Sequence, residues 1–144
     1  MIKINADELK KFSVEIPKLY EKNEALVRQT VKNSAFNIQK NAKSNLTKNK
    51  SGDTGHLIRG ISTDIKGLGA TIHTSNIKYA RGVEEGTKAH IIRAKNKKAL
   101  YWKGAKHPIK QVNHPGSKAK PYLIPAFDKE KDQFLEKLKE VIKW

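Results

Sequence analysis

Five histidines, His56, His73, His90, His107 and His114, are the residues of this sequence best suited to metal or general-base chemistry. A hydrolytic zinc site holds its ligands close together, often at helical or short-loop spacing. None of the five makes a recognised pair of that kind, and the three from 90 to 114 have no carboxylate in their own segment. A two-metal nuclease needs clustered carboxylates, which that segment lacks. Asp53-Thr54-Gly55-His56 sets an acid, a hydroxyl and an imidazole side by side in the chain. Sequence neighbours are not a relay, because a triad is assembled by geometry across a fold. Gly67-Leu68-Gly69 lacks the longer glycine pattern and the lysine of a phosphate loop, and reads as a turn. Without any cysteine, neither a thiolate metal site nor a disulfide framework can form. The expectation is a protein with no catalytic residues, no metal and no cofactor. A hydrolase that uses His90, His107 or His114 is the competing enzymatic reading.

Charge is the more informative property. Lys and Arg number 30 against 14 Asp and Glu, giving a net +16 and an isoelectric point near 10.0. From Thr87 to Phe127 there is no acidic residue at all, while lysines recur throughout. Both ends of the chain mix the two signs, as solvated helices do. Such a field favours an anionic partner, either nucleic acid or an acidic protein surface. Lys95, Lys97, Lys98, Lys103, Lys106 and Lys110 are the candidate contact residues. Tyr101, Trp102 and Tyr122 lie among the lysines, a mixture found on single-strand stacking platforms. Lysine greatly outnumbers arginine, however, and arginine is the better reader of base edges. A nonspecific nucleic-acid-binding domain is therefore the alternative function. For Trp102 the ordinary account is half-buried strand packing, and Trp144 could dock the last helix or reach a partner.

The elements that must position these residues follow from periodicity. The chain of 144 residues fits one domain, spanning 1–144, and 37% hydrophobic content with a mean hydropathy of -0.71 leaves surface for a partner to cover. Residues 1–17 form an N-terminal arm in which Leu9 and Phe12 suggest a short helix, and Pro17 marks a break or a new start. Over 18–47, Leu19, Leu26, Val27, Val31, Ala35, Ile38, Ala42 and Leu46 make an amphipathic helical stripe. That stripe predicts a helix roughly 40 Å long. The part from 56 to 112 is β-rich. His56–Ile65 is expected as a strand, returning through Lys66–Gly69 to Ala70–Ser75. Tyr79–Glu85 reads as one helical turn closed by Gly86 at a left-handed position. Ala89–Arg93 and Ala99–Trp102 read as two further strands joined by the basic turn 95–98, with a short strand near Ile109–Val112. Pro121 and Pro125 introduce a final helix within 121–144, whose apolar face carries Phe127, Phe134, Leu135, Leu138, Val141 and Ile142. The fold class is α+β, with a long N-terminal and a C-terminal helix packed on a small antiparallel sheet. No run approaches the roughly 18 apolar residues of a membrane span, and Met1–Asn5 lacks the apolar stretch of a signal peptide. The expectation is a soluble protein assembled in the cytoplasm.

Four segments, in order, resemble a family of tailed-phage neck proteins similar to gene product ten of lambdoid siphophages. Asp53-Thr54-Gly55-His56-Leu57-Ile58-Arg59-Gly60-Ile61 resembles the family's TG-x-L-x-x-SI segment leading into its sheet, with Gly60 where serine is commoner. Tyr79-Ala80-Arg81-Gly82-Val83-Glu84-Glu85-Gly86-Thr87 is similar to its YA-x-x-VE-x-GT signature. His90-Ile91-Ile92, Ala99–Trp102 and the turn His114-Pro115-Gly116 resemble the basic hairpin that follows. Pro121-Tyr122-Leu123-Ile124-Pro125-Ala126 resembles the P-[FY]-L-x-x-A start of the last helix. The resemblance covers roughly residues 25–144 and singles out Gly55, Tyr79, Glu84, Gly86, Thr87, Pro115, Gly116 and Pro121 as structural motif residues. It implies a virion protein of a siphophage or prophage, located in the neck and joining head to tail or completing the tail. It implies a homo-oligomeric ring, sixfold to match the tail or twelvefold to match the portal, with other neck and tail proteins as partners and no membrane. Heterologous interfaces produce such rings when their rotation closes. Passing DNA would touch the basic loops only transiently, and the acidic surfaces of neck partners are the favoured contact. Glu84 pairing with a neighbouring subunit's basic loop is one expectation; a solvated or intrachain ion pair is the other.

Overall fold

The 31 residues from Lys18 to Lys48 contain no glycine or proline, and they build the longest element of the fold. In the computed structural model, which describes residues 2–5, 16–50, 55–95, 98–101 and 106–142, this run is the body of helix α1, Ile16–Lys48. Pro17 sits in the first turn, where its missing N–H costs no hydrogen bond. At 33 residues the helix is about 50 Å long. Its buried stripe is Val27, Val31, Ala35, Ile38, Ala42 and Leu46. Ala35 and Ala42 are small enough for neighbouring elements to come close to the helix axis. The short helix expected around Leu9 and Phe12 lies outside the described residues.

The last helix, α4 (Leu123–Ile142), buries Leu123, Ala126, Phe134 and Leu138 against the stripe of α1. Glu130 is buried as well, and its Oε1 accepts a 3.1 Å hydrogen bond from Asn37 Nδ2 of α1. Each large apolar side chain covered at this interface contributes roughly 1.5–3 kcal/mol.

Between the helices, α1 also covers a three-stranded antiparallel sheet of order β1-β3-β2. The strands are β1 (Ile2–Asn5), β2 (Ser62–Lys66) and β3 (Gly69–His73). The β2–β3 hairpin pairs Ser62 with His73 and Lys66 with Gly69, closing on Gly67-Leu68 as the sequence leads one to expect. Gly67, at φ 57°, takes the first central position of a two-residue turn, where a positive φ is required. Strand β1 was not expected. It pairs Ile2 with Ile72 and Asn5 with Gly69, and it makes β3 the central strand.

One expected strand is largely a helix. His56–Gly60 forms α2, after Gly55 at φ 65°, and only Ser62–Lys66 is extended. Strand alternation would have put Arg59 on the same face as Leu57 and Ile61. Helical spacing buries Leu57 and Ile61, each 1% exposed, and leaves Arg59 at the surface. Gln39 of α1 fixes the junction: its Nε2 donates to Ile61 O at 2.7 Å, and Thr63 Oγ1 donates to its Oε1 at 3.2 Å.

Beyond this body lies a second sheet of two strands, β4 (His90–Arg93) and β5 (Gln111–His114). Here too the pairing differs from expectation. β4 pairs with β5, His90 opposite His114 and Arg93 opposite Gln111, and not with the segment 99–102. Leu100 only bridges Ile109, while Trp102 lies outside the described residues. The α+β class holds, with two helices packed together and small antiparallel sheets beside them. Among the described residues no helix is long and apolar enough to cross a membrane.

Ser34 is fully buried in α1, and among the described residues its hydroxyl has no hydrogen-bond partner. A buried, unpaired hydroxyl costs about 1–3 kcal/mol. Ser34→Ala is therefore expected to raise stability by about 1 kcal/mol in urea unfolding. Ile38→Ala, four residues on, is expected to lower it by about 2–5 kcal/mol.

Candidate functional site

Helix α4 begins without a cap of its own, since no Ser, Thr, Asp or Asn precedes Leu123 in Lys120-Pro121-Tyr122 and its first turn carries no acid. Four backbone N–H groups at a helix start lack intrahelical acceptors. Glu84, nearly forty residues earlier, supplies them. Its Oε2 accepts from Tyr122 N at 2.9 Å and from Leu123 N at 3.0 Å, and its Oε1 accepts from Ile124 N at 2.9 Å. The next residue is Pro125, which has no N–H to satisfy. A carboxylate there also meets the positive end of the helix dipole.

Among the described residues Glu84 forms no intrachain ion pair; both its oxygens accept from backbone donors of its own chain. The clue in the sequence was a helix with no local cap, downstream of a stretch whose nearest acids are Glu84 and Glu85. Glu85 points elsewhere and forms an exposed pair with Arg81 Nε at 2.8 Å.

Glu84 is held by α3 (Ala80–Glu85), which begins after Tyr79 and buries Ala80. The segment after α3 is tied to the segment before α4. Thr87 N donates to Ser117 O at 2.9 Å, Ser117 N donates to Thr87 O at 3.0 Å, and Lys120 N donates to Val83 O at 2.8 Å. From the other side the end of α1 and the residue after it hold the same stretch: Asn45 Nδ2 donates to Tyr122 O at 3.0 Å and Asn49 Nδ2 to Pro121 O at 3.1 Å. Two glycines make this crossing possible. A Cβ on Gly86 (φ 76°) would lie 2.7 Å from Ser117 O, and one on Gly116 (φ 89°) would lie 2.3 Å from Thr87 O. Gly86 has a ψ of 178°, so it turns the chain outward into the ribbon and does not close α3 with a left-handed cap. Pro115 is exposed beside Gly116. Gly55 is set apart from this crossing, at the start of α2. Tyr79 bridges the two regions, half exposed, with its Oη 3.4 Å from His56 Nδ1.

The crossing is the root of the β4–β5 ribbon. All four residues of β4 are exposed, among them Ile91 at 52% and Ile92 at 36%. Alternation puts His90, Ile92, Val112 and His114 on one face. The other face carries Ile91, Arg93, Gln111 and Asn113, all exposed. On the first face the rings of His90 and His114 are 5.1 Å apart. His90 Nδ1 donates to Lys88 O at 2.8 Å, and His114 Nδ1 accepts from Gly116 N at 3.1 Å. Lys95, Lys98, Lys106 and Lys110 are exposed toward the far end of the ribbon, with Tyr101 70% exposed nearby. Lys97 and Lys103 lie outside the described residues.

Apart from the ring pair His90 and His114, the histidines do not converge. His73 Nε2 is 3.0 Å from Asp64 Oδ2, while its Nδ1 accepts from Ser75 N at 3.2 Å, so a neutral ring donates to Asp64. Among the described residues there is no cluster of three or more His, Asp or Glu side chains able to hold a metal. An open cleft of about 860 Å³ runs from the end of β3 past α3 to the start of α4. Of the carboxylates that line it, Glu84 is engaged by α4 and Glu85 by Arg81. Comparison with family models, curated proteins and solved structures finds no match.

Tyr122 is 2% exposed, and burial, together with the nearby Glu84 and Tyr79, pushes its phenol up to about 12 from the ordinary 10.0. The folded chain then holds this proton more tightly than the unfolded chain, so its stabilising effect is complete below pH 10 and is lost as pH rises toward 12. Thermal unfolding should show stability falling through that window, and Tyr122→Phe should flatten the fall. Glu84→Ala strands three donors at the start of α4, and denaturant unfolding is expected to register a loss of about 2–4 kcal/mol. Glu84→Gln keeps one acceptor oxygen and should fall between wild type and alanine.

Proposed function

We propose that this chain is a non-enzymatic structural subunit of a tailed-phage or prophage particle, a ring-forming neck protein that joins head to tail or completes the tail. One observation carries the reading: a basic two-stranded ribbon stands outside the core with all of β4 exposed, anchored at its root by Gly86, Thr87 and Gly116. An isolated two-stranded ribbon is marginal in water, so an element of this kind is completed by what it touches. The residues that hold it fall within the segments resembling the neck family. Glu84 and the Pro121–Ala126 segment, two of the four resembling stretches, are joined directly by hydrogen bonds. Their role in this reading is to aim the ribbon, and no covalent chemistry is asked of them.

In such a ring each copy contacts the next through unlike surfaces. Six copies match a tail and twelve match a portal; six is the proposed number. Other neck and tail proteins are the partners, and the ring belongs to the virion after assembly in the host cytoplasm. Negative-stain imaging of particles produced without this protein tests the reading. Separated heads and tails, or junctions that break, are expected. Intact and infectious particles would overturn it.

A further inference from the structure

The outward face of the β4–β5 ribbon carries an unusual set of side chains. Arg93 lies opposite Gln111, and Ile91 lies opposite Asn113, on the face away from the paired histidine rings. All four are exposed. Arginine pairs with the acceptors of guanine, glutamine and asparagine pair with adenine, and an aliphatic group packs on the thymine methyl. These are the side chains that meet base edges, collected on one small surface.

The dimensions agree. Two strands about 4.8 Å apart, with their side chains, fit a major groove about 12 Å wide, which admits an antiparallel ribbon. Four residues of strand extend roughly 13 Å, or about four base pairs. Positive charge lies along and around the ribbon. Lys88, Lys95, Lys98, Lys106, Lys110 and Lys118 are exposed along and around the ribbon, and none of them forms an ion pair among the described residues. No acidic residue occurs between Thr87 and Phe127 to oppose them. The same charge disfavours pairing of the ribbon's edge with the ribbon of a second copy.

We propose that the face formed by Ile91, Arg93, Gln111 and Asn113 is a contact surface for the major groove of duplex DNA, with the flanking lysines on the phosphates. One arginine and two amides give little base discrimination, so the contact is weak and tolerant of sequence. Phosphate neutralisation supplies most of its affinity, which is compatible with a duplex that slides past. The inference stands apart from the assembly reading, since a chain that builds a ring need not bind DNA, and a chain that binds DNA need not build a ring.

The test uses the full chain and a 20-base-pair duplex in fluorescence anisotropy, followed by methylation protection of guanine N7. Binding is expected at 50 mM salt, falling about a hundredfold by 200 mM if roughly four phosphates are neutralised. Guanine N7 should be protected, because that atom lies in the major groove. Arg93→Gln should weaken binding about tenfold, whereas Lys40→Gln, which removes the same charge from the exposed surface of α1, should change it less than twofold. Arg93→Gln should also reduce N7 protection, and Gln111→Ala with Asn113→Ala should weaken binding with the salt dependence retained. No binding at 50 mM salt would overturn the proposal. So would equal losses from the arginine and lysine variants, or polyglutamate binding as tight as DNA of equal charge, which would point to an acidic protein surface as the partner.

Discussion

The Glu84 carboxylate at the start of α4 is the interaction on which the arrangement of this protein depends. Helix α4 supplies half of the helix–helix core, and its own sequence offers nothing to satisfy its first N–H groups. The acceptor comes from α3, so α3 must lie against the beginning of α4. A long-range cap of this kind converts a local requirement of one helix into a fixed distance between two parts of the chain. A charged acceptor makes it stronger than an ordinary side-chain cap, because its hydrogen bonds are charge-assisted.

Once α3 and the start of α4 are joined, the residues between them form a closed excursion from Gly86 to Lys120. The Thr87–Ser117 bridge closes its root, and the lack of a side chain at Gly86 and Gly116 allows the two backbones to meet. Asn45 of α1 and Asn49 just beyond it hold the carbonyls of Tyr122 and Pro121 from the opposite side. The long helix thus serves as core and as clamp. What projects is a ribbon with almost no support from the body, and this explains how a chain with a modest core can present a large basic surface.

Electrostatics and packing are separated in this molecule. The acids are used near the body, in the Glu84 cap, the Asn37–Glu130 contact and the Arg81–Glu85 and Asp64–His73 pairs. The excursion carries only positive charge. Repulsion among its lysines opposes burial of the ribbon against its own basic chain. The carboxylates that line the cleft are already engaged by backbone and by arginine.

The helical stripe of α1, the apolar face of α4, the Gly67-Leu68 turn and the absence of acids between Thr87 and Phe127 were all determined by the sequence by itself. Each is a matter of spacing or composition within one short stretch. Other features were decided only by the tertiary structure. Arg59 could not enter the core, so His56–Gly60 became a helix where alternation suggested a strand. Strand β4 found its partner in Gln111–His114 and not in the nearer segment, because the Thr87–Ser117 bridge at its root fixes the register. Ile2–Asn5 alternates like a strand, yet four residues become one only when an edge such as β3 is offered. Glu84 is the clearest case, for nothing near it in the chain shows what it caps. A hydrogen bond depends on distance in space, and residues nearly forty positions apart acquire that distance only when the helices that carry them have packed.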